Sequence, residues 1–139
     1  MVFHLRRFWN FLLRRKAPLT GAPLRRRMKN YAAQSGYVYQ YFYEGQRRFS
    51  SKGESGAEFV FRVSADGKQF RAIEVRVPES AIHHWERTHG RPLSPTERYA
   101  IAKLSLFQAF DTRPAPEARW APVNVSVTDI EATIQTLGL

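Results

Sequence analysis

Four tyrosines at alternate positions, Tyr37, Tyr39, Tyr41 and Tyr43, are the residues here best suited to recognition chemistry. Side chains alternate between the two faces of a strand, so all four rings share one side, while Val38, Gln40 and Phe42 take the other. Turned to solvent beside Arg47, Arg48 and Arg62, such a face stacks nucleotide bases. Turned inward, the same rings pack under helices with their hydroxyls at the rim. Sequence alone leaves both readings open.

A second cluster is His83, His84, Glu86 and His89. Hydrolytic zinc helices need two histidines four residues apart on one face, with a glutamate beside the first. His84 and His89 are five apart, about 140° round a helix. One helix cannot bring these side chains to a single ion, and no metal site is expected. Lys103 is the third candidate, because it falls inside an apolar stripe between Tyr99, Phe107 and Phe110. A buried lysine of lowered pKa acts as a base or forms a Schiff base. More commonly its stem lies on apolar surface while the ammonium reaches a carboxylate, here Asp111 or Glu97. No second titratable group is spaced to make it a dyad, and neither a carboxylate pair nor a Ser-His-Asp arrangement is present. The chain has no cysteine, which removes thiolate nucleophiles, disulfides and cysteine zinc sites. No catalytic residue and no cofactor are expected, and the reading leans away from an enzyme.

Charge is unevenly placed. Of 22 basic and 12 acidic residues in 139, residues 1–43 hold nine basic ones and no acid, leaving 13 against 12 in the remainder. A nearly neutral domain therefore carries a basic leader. Within it, Val2, Leu5, Phe8, Trp9, Leu12 and Leu13 share an arc of a short basic helix over residues 2–15. Such a helix suits an anionic membrane surface, a groove on a partner protein or a transit-type presequence. Pro18, Gly21 and Pro23 then read as a linker ending in Arg25, Arg26 and Arg27. Residues 1–27 read equally well as a solvated extension from an upstream start, since Met28 is the only other methionine. A short helix near Leu24–Gln34 is a further reading. The leader lacks the uninterrupted apolar stretch and cleavage site of a secretory signal, and no run approaches the ~20 apolar residues of a membrane span. A cytoplasmic location is favoured.

Behind the leader, Tyr37–Tyr43 is the clearest strand, continued through Arg47–Phe49 past a bulge at Gly45. Ser50–Gly56 reads as a flexible polar loop. Glu58–Ser64 and Gln69–Val77 form a hairpin around Asp66-Gly67, with Phe59, Phe61, Val63, Ile73, Val75 and Val77 facing inward. Helix Glu79–His89 offers Ala81, Ile82 and Trp85. The next helix, from Ser94 to Asp111, has a capping box of Ser94 and Glu97 and an apolar stripe of Tyr99, Ala102, Leu106, Ala109 and Phe110, with Ser105 on the polar side. After a proline-rich connection, Val123, Val125 and Val127 alternate as a fourth strand. Thr128 and Glu131 then cap a last helix that stops at Gly138.

The expected architecture is α+β in the order β-β-β-α-α-β-α. Helices cover one face of an antiparallel sheet made of a three-strand meander and a fourth C-terminal strand. Residues 1–29 form the extension and linker, and residues 30–139 a single domain. The expected function is non-enzymatic binding of nucleic acid, RNA before duplex DNA. The expected contacts are Arg14, Arg15, Lys16, Arg25, Arg26, Arg27 and Lys29, with Tyr37, Tyr39, Tyr41, Tyr43, Arg47 and Arg48. The alternative is a peripheral membrane or partner-docking protein anchored by residues 2–15.

Overall fold

The computed structural model describes residues 16–113 and 118–138. The sheet has five strands in sequential order: β1 (Lys29–Ala32), β2 (Val38–Ser51), β3 (Glu54–Ser64), β4 (Arg71–Pro78) and β5 (Val123–Asn124). Helices α1 (Glu79–His89) and α2 (Pro95–Thr112) lie between β4 and β5, and α3 (Val127–Leu137) ends the chain. The fold is α+β, and the meander of β2, β3 and β4 is as expected.

Three features of the sheet differ from expectation. Lys29–Ala32 is a strand, not part of a linker or short helix, because it pairs antiparallel with β2 from Lys29↔Tyr41 to Ala32↔Val38. Its four residues carry no period that would announce it alone. Second, Ser50–Gly56 is no loose loop: β2 and β3 run on to a two-residue turn at Lys52-Gly53. Both residues have positive φ, 52° and 80°, which matches the strand twist of a tight hairpin. Third, the last strand is only two residues long and runs parallel to β4, with Val75 opposite Val123. The sheet is therefore mixed. A chain that leaves β4, crosses one face in two helices and returns alongside arrives parallel, and alternating valines do not encode that direction. Val127 belongs to α3.

The bulge is where the glycine placed it. The β2–β3 register slips between Tyr43 and Gly45, and Gly45 takes φ 132°. Past the bulge, Thr20 of the leader bridges to Gln46, each N–H donating to the other's carbonyl at 2.8 Å. Between β3 and β4, Asp66 shapes the connection: its Oδ1 accepts the N–H groups of Lys68 and Gln69 at 2.8 and 3.0 Å. That local bonding ends β3 at Ser64 and delays β4 to Arg71, two residues later than expected.

The core lies between the sheet and the helices. Tyr39, Tyr41, Phe59, Phe61, Val63, Ile73, Val75 and Val77 meet Ile82 and Trp85 of α1, Leu106 and Phe110 of α2, and Ile130 and Ile134 of α3. The Ser94–Glu97 capping box forms as expected. Ser105, expected to face solvent, is buried together with Ile101, and α3 packs against α2. The cap of α3 also moves. Ser126 and Asp129 form the capping box in place of Thr128 and Glu131, since Val125 still donates to the Arg76 carbonyl and keeps the chain extended to Ser126. Among the described residues, no helix is long and apolar enough to cross a membrane.

Candidate anion-binding site

The tyrosine strand packs inward. Tyr39 and Tyr41 are 2% and 4% exposed, and Tyr43 is half-buried against Tyr99 at 4.9 Å. Phe107 and Phe110 of α2 lie on these rings, because a helix laid across a strand buries most apolar area where aromatic faces meet. Tyr39 and Tyr41 therefore have no free face for a base. Of the four rings on that face, Tyr43 is half-buried and Tyr37 is exposed, with the Arg119 guanidinium 4.3 Å from its centroid.

The arginines expected beside those rings are separated. Arg47 is locked on the outer sheet face, its Nε on Glu58 at 2.8 Å and a terminal nitrogen on Glu74 at 2.7 Å. Lys16 is drawn to Glu74 at 2.6 Å. Arg48 is exposed, but lies about 20 Å along β2 from the residue opposite Lys29 at ~3.3 Å per residue. Arg14 and Arg15, with the whole of helix 2–15, fall outside the described residues.

What the fold does bring together is Arg25, Arg26, Arg27 and Lys29. All four are exposed, and among the described residues none takes part in an ion pair. Arg26 lies over the Phe42 ring at 5.1 Å. Arg27 and Lys29 border a cavity of about 300 Å³ whose floor is Tyr41, Phe42, Tyr43 and Tyr99. Gly21 and Pro23 of the leader close its side.

Position on the edge strand explains the geometry. Lys29 stands opposite Tyr41 and shares its face, so its side chain points toward α2. There it meets Lys103, one helical turn beyond Tyr99. Burial pushes the Lys103 ammonium below its ordinary pKa, and the neighbouring Lys29 charge lowers it further. Neither expected carboxylate reaches Lys103. Asp111 accepts the Tyr31 hydroxyl at 2.8 Å and the Gln34 N–H at 2.9 Å, while Glu97 holds Arg91 and the Ser94 N–H. Burial and the nearby Tyr99 phenol push Tyr43 up to about 12, and Tyr41 and Tyr99 are raised as well. These phenols stay protonated at neutral pH and offer hydrogen-bond donors. The site therefore presents cations and neutral donors above aromatic rings, a combination that attracts anions.

Tyr99 and Lys103 were not among the sequence-derived contacts. Their four-residue spacing with Phe107 was visible, but a helix pattern does not show which strand lies beneath it. The histidines stay apart. His83 approaches Glu79 at 3.3 Å and His89 pairs with Glu131. Among the described residues no group of histidines and acids could hold a metal. Compared with models of known protein families, with curated proteins and with solved structures, the chain matches none.

Proposed function

We propose that the chain is a non-enzymatic binding protein that engages nucleic acid, RNA in preference to duplex DNA, through Arg25–Lys29. The observation that carries this reading is the exposed, acid-free run of four cations beside a tyrosine-floored cavity. Phosphate attraction of this kind is independent of sequence. The preference for RNA follows from the cavity: an unpaired base can enter it, while a base inside a duplex cannot.

A gel-shift series over salt concentration on the full chain, using a single-stranded RNA, tests this. Replacing Arg25, Arg26 and Arg27 together by alanine should weaken binding and reduce the slope of log affinity against log salt by about 2. An unchanged slope would overturn the assignment. Co-sedimentation with anionic vesicles by the same protein, without RNA binding, would favour anchoring through residues 2–15. Substitution is preferable to deletion here, because removing the leader also removes the Thr20–Gln46 bridge and Lys29 of β1.

A further inference from the structure

We propose that the cavity between β1 and α2 is a phosphomonoester site, holding one nucleotide with its phosphate on Lys29, beside which Lys103 stands just outside the cavity lining, and its base against the half-buried Tyr43 and Tyr99. The reason is the cavity's geometry: Arg27 and Lys29 border it beside Tyr43 and Tyr99, and Lys103 of α2 adjoins Lys29. The exposed Lys29 ammonium and the partly buried Lys103 ammonium repel each other, and the burial of Lys103 adds to the cost. Asp111 and Glu97 are already engaged elsewhere. An anion seated between the lysines removes the repulsion and supplies the missing partner.

Charge selects the kind of anion. A carboxylate neutralises one of the lysines, and Arg27 adds a third cation at the rim. A phosphomonoester carries close to two negative charges at neutral pH and three strong acceptor oxygens, which match the pair and the arginine. The protonated phenols of Tyr41, Tyr43 and Tyr99 donate to such a ligand and do not repel it. Size selects the rest. At about 300 Å³ the cavity sits at the lower end of ligand pockets, enough for one nucleotide and too small for a dinucleotide cofactor. Its ring floor suits a flat aromatic body.

The same chemistry comes from two sources, a free mononucleotide or the 5′ end of an RNA strand. Only the second rests on the nucleic-acid reading above. Calorimetric titration of the full chain separates them, using UMP, uridine, inorganic phosphate and one RNA sequence with either a 5′ phosphate or a 5′ hydroxyl. UMP should bind about tenfold or more tightly than uridine, and also more tightly than inorganic phosphate. Lys103→Gln should abolish most of that difference without lowering the melting temperature, since it relieves repulsion in the free protein. Lys29→Gln on the exposed edge strand provides the same readout if the first variant folds poorly. Tighter binding of the 5′-phosphorylated RNA identifies the strand end as the ligand, and equal binding of the two RNAs with tight UMP binding identifies the free nucleotide. UMP binding no better than uridine, or no better than phosphate, overturns the site. If RNA binding through Arg25–Arg27 survives that result, the broader reading stands without the pocket. UMP binding with no RNA binding upholds the site and removes the broader reading.

Discussion

Tyr39 of β2 lies flat on Phe110 of α2, with ring centroids 4.2 Å apart and planes 12° apart. A second stack, Tyr31 on Phe107 at 4.2 Å and 5°, repeats the arrangement one strand over. The two stacks fasten the edge of the sheet to the central helix and hold Lys29 beside Lys103. Tyr39→Ala and Phe110→Ala should each cost ~3–5 kcal/mol in urea denaturation, whereas Tyr37→Ala on the exposed end should cost under ~1 kcal/mol. A tolerated Tyr39→Ala would mean that the strand is not clamped by α2.

The inward-facing set of this sheet was legible because alternation at Phe59, Phe61 and Val63 and at Ile73, Val75 and Val77 has a period of two. The capping box at Ser94 and the bulge at Gly45 were legible as local chemistry. The fate of the tyrosines was not. Phe42 on the opposite side is 9% exposed and Val60 2%, so both faces of β2 and β3 are covered and hydrophobicity does not tell them apart. The second cover is the leader, whose Thr20 pairs with Gln46 and whose Arg26 lies on Phe42. A basic run with two prolines looks solvated until a partner strand is known. The cavity was hidden for the same reason, since Lys29 and Lys103 are separated by the whole meander and meet only through the sheet.

The leader's seat depends on one glycine. A Cβ on Gly45 would fall 2.7 Å from the Thr20 carbonyl oxygen, and its φ of 132° is one that other residues rarely adopt. Gly45→Ala should therefore destabilise the fold by ~1–3 kcal/mol and speed tryptic cleavage after Lys16. Unchanged stability and cleavage would show that the Thr20 pairing is dispensable in solution.

Acid should loosen the structure in a defined window. Glu97 is held down to about 2, first by Arg91 and then by the Ser94 N–H. Burial acts to raise Glu74, but its contacts with Glu58, Lys16 and Arg47 outweigh that and also bring it to about 2. A carboxylate with a depressed folded pKa contributes stability above its unfolded value and loses it as pH falls through the folded one. Stability should decline between about pH 4.5 and about pH 2, and Glu97→Gln should flatten the decline while lowering stability at pH 7. An equally steep decline in that variant would place the acid sensitivity elsewhere.

Glu58 is the most exacting polar residue of the outer face. It is 2% exposed, with Arg47 Nε donating to one oxygen at 2.8 Å and Arg76 Nε to the other at 2.9 Å. Glu58→Ala would leave both guanidiniums without that partner. Arg76 is the less affected, being partly exposed and able to reach water. Arg47, with only 13% of its side chain exposed, retains Glu74 alone. The expected loss is ~3–5 kcal/mol, most of it the cost of a buried charge left unpaired. That origin has a signature. Arg47→Met combined with Glu58→Leu removes both charges and fills their volume, while Lys16 still neutralises Glu74. The double variant should then be more stable than the sum of the single losses predicts, by at least ~1 kcal/mol. Denaturant melts of Arg47→Met, Glu58→Leu and the double variant at one pH and salt concentration give the number. Strict additivity would mean that Arg47 and Glu58 act independently and that the outer face is held by its apolar residues, Val60 and Phe42, instead.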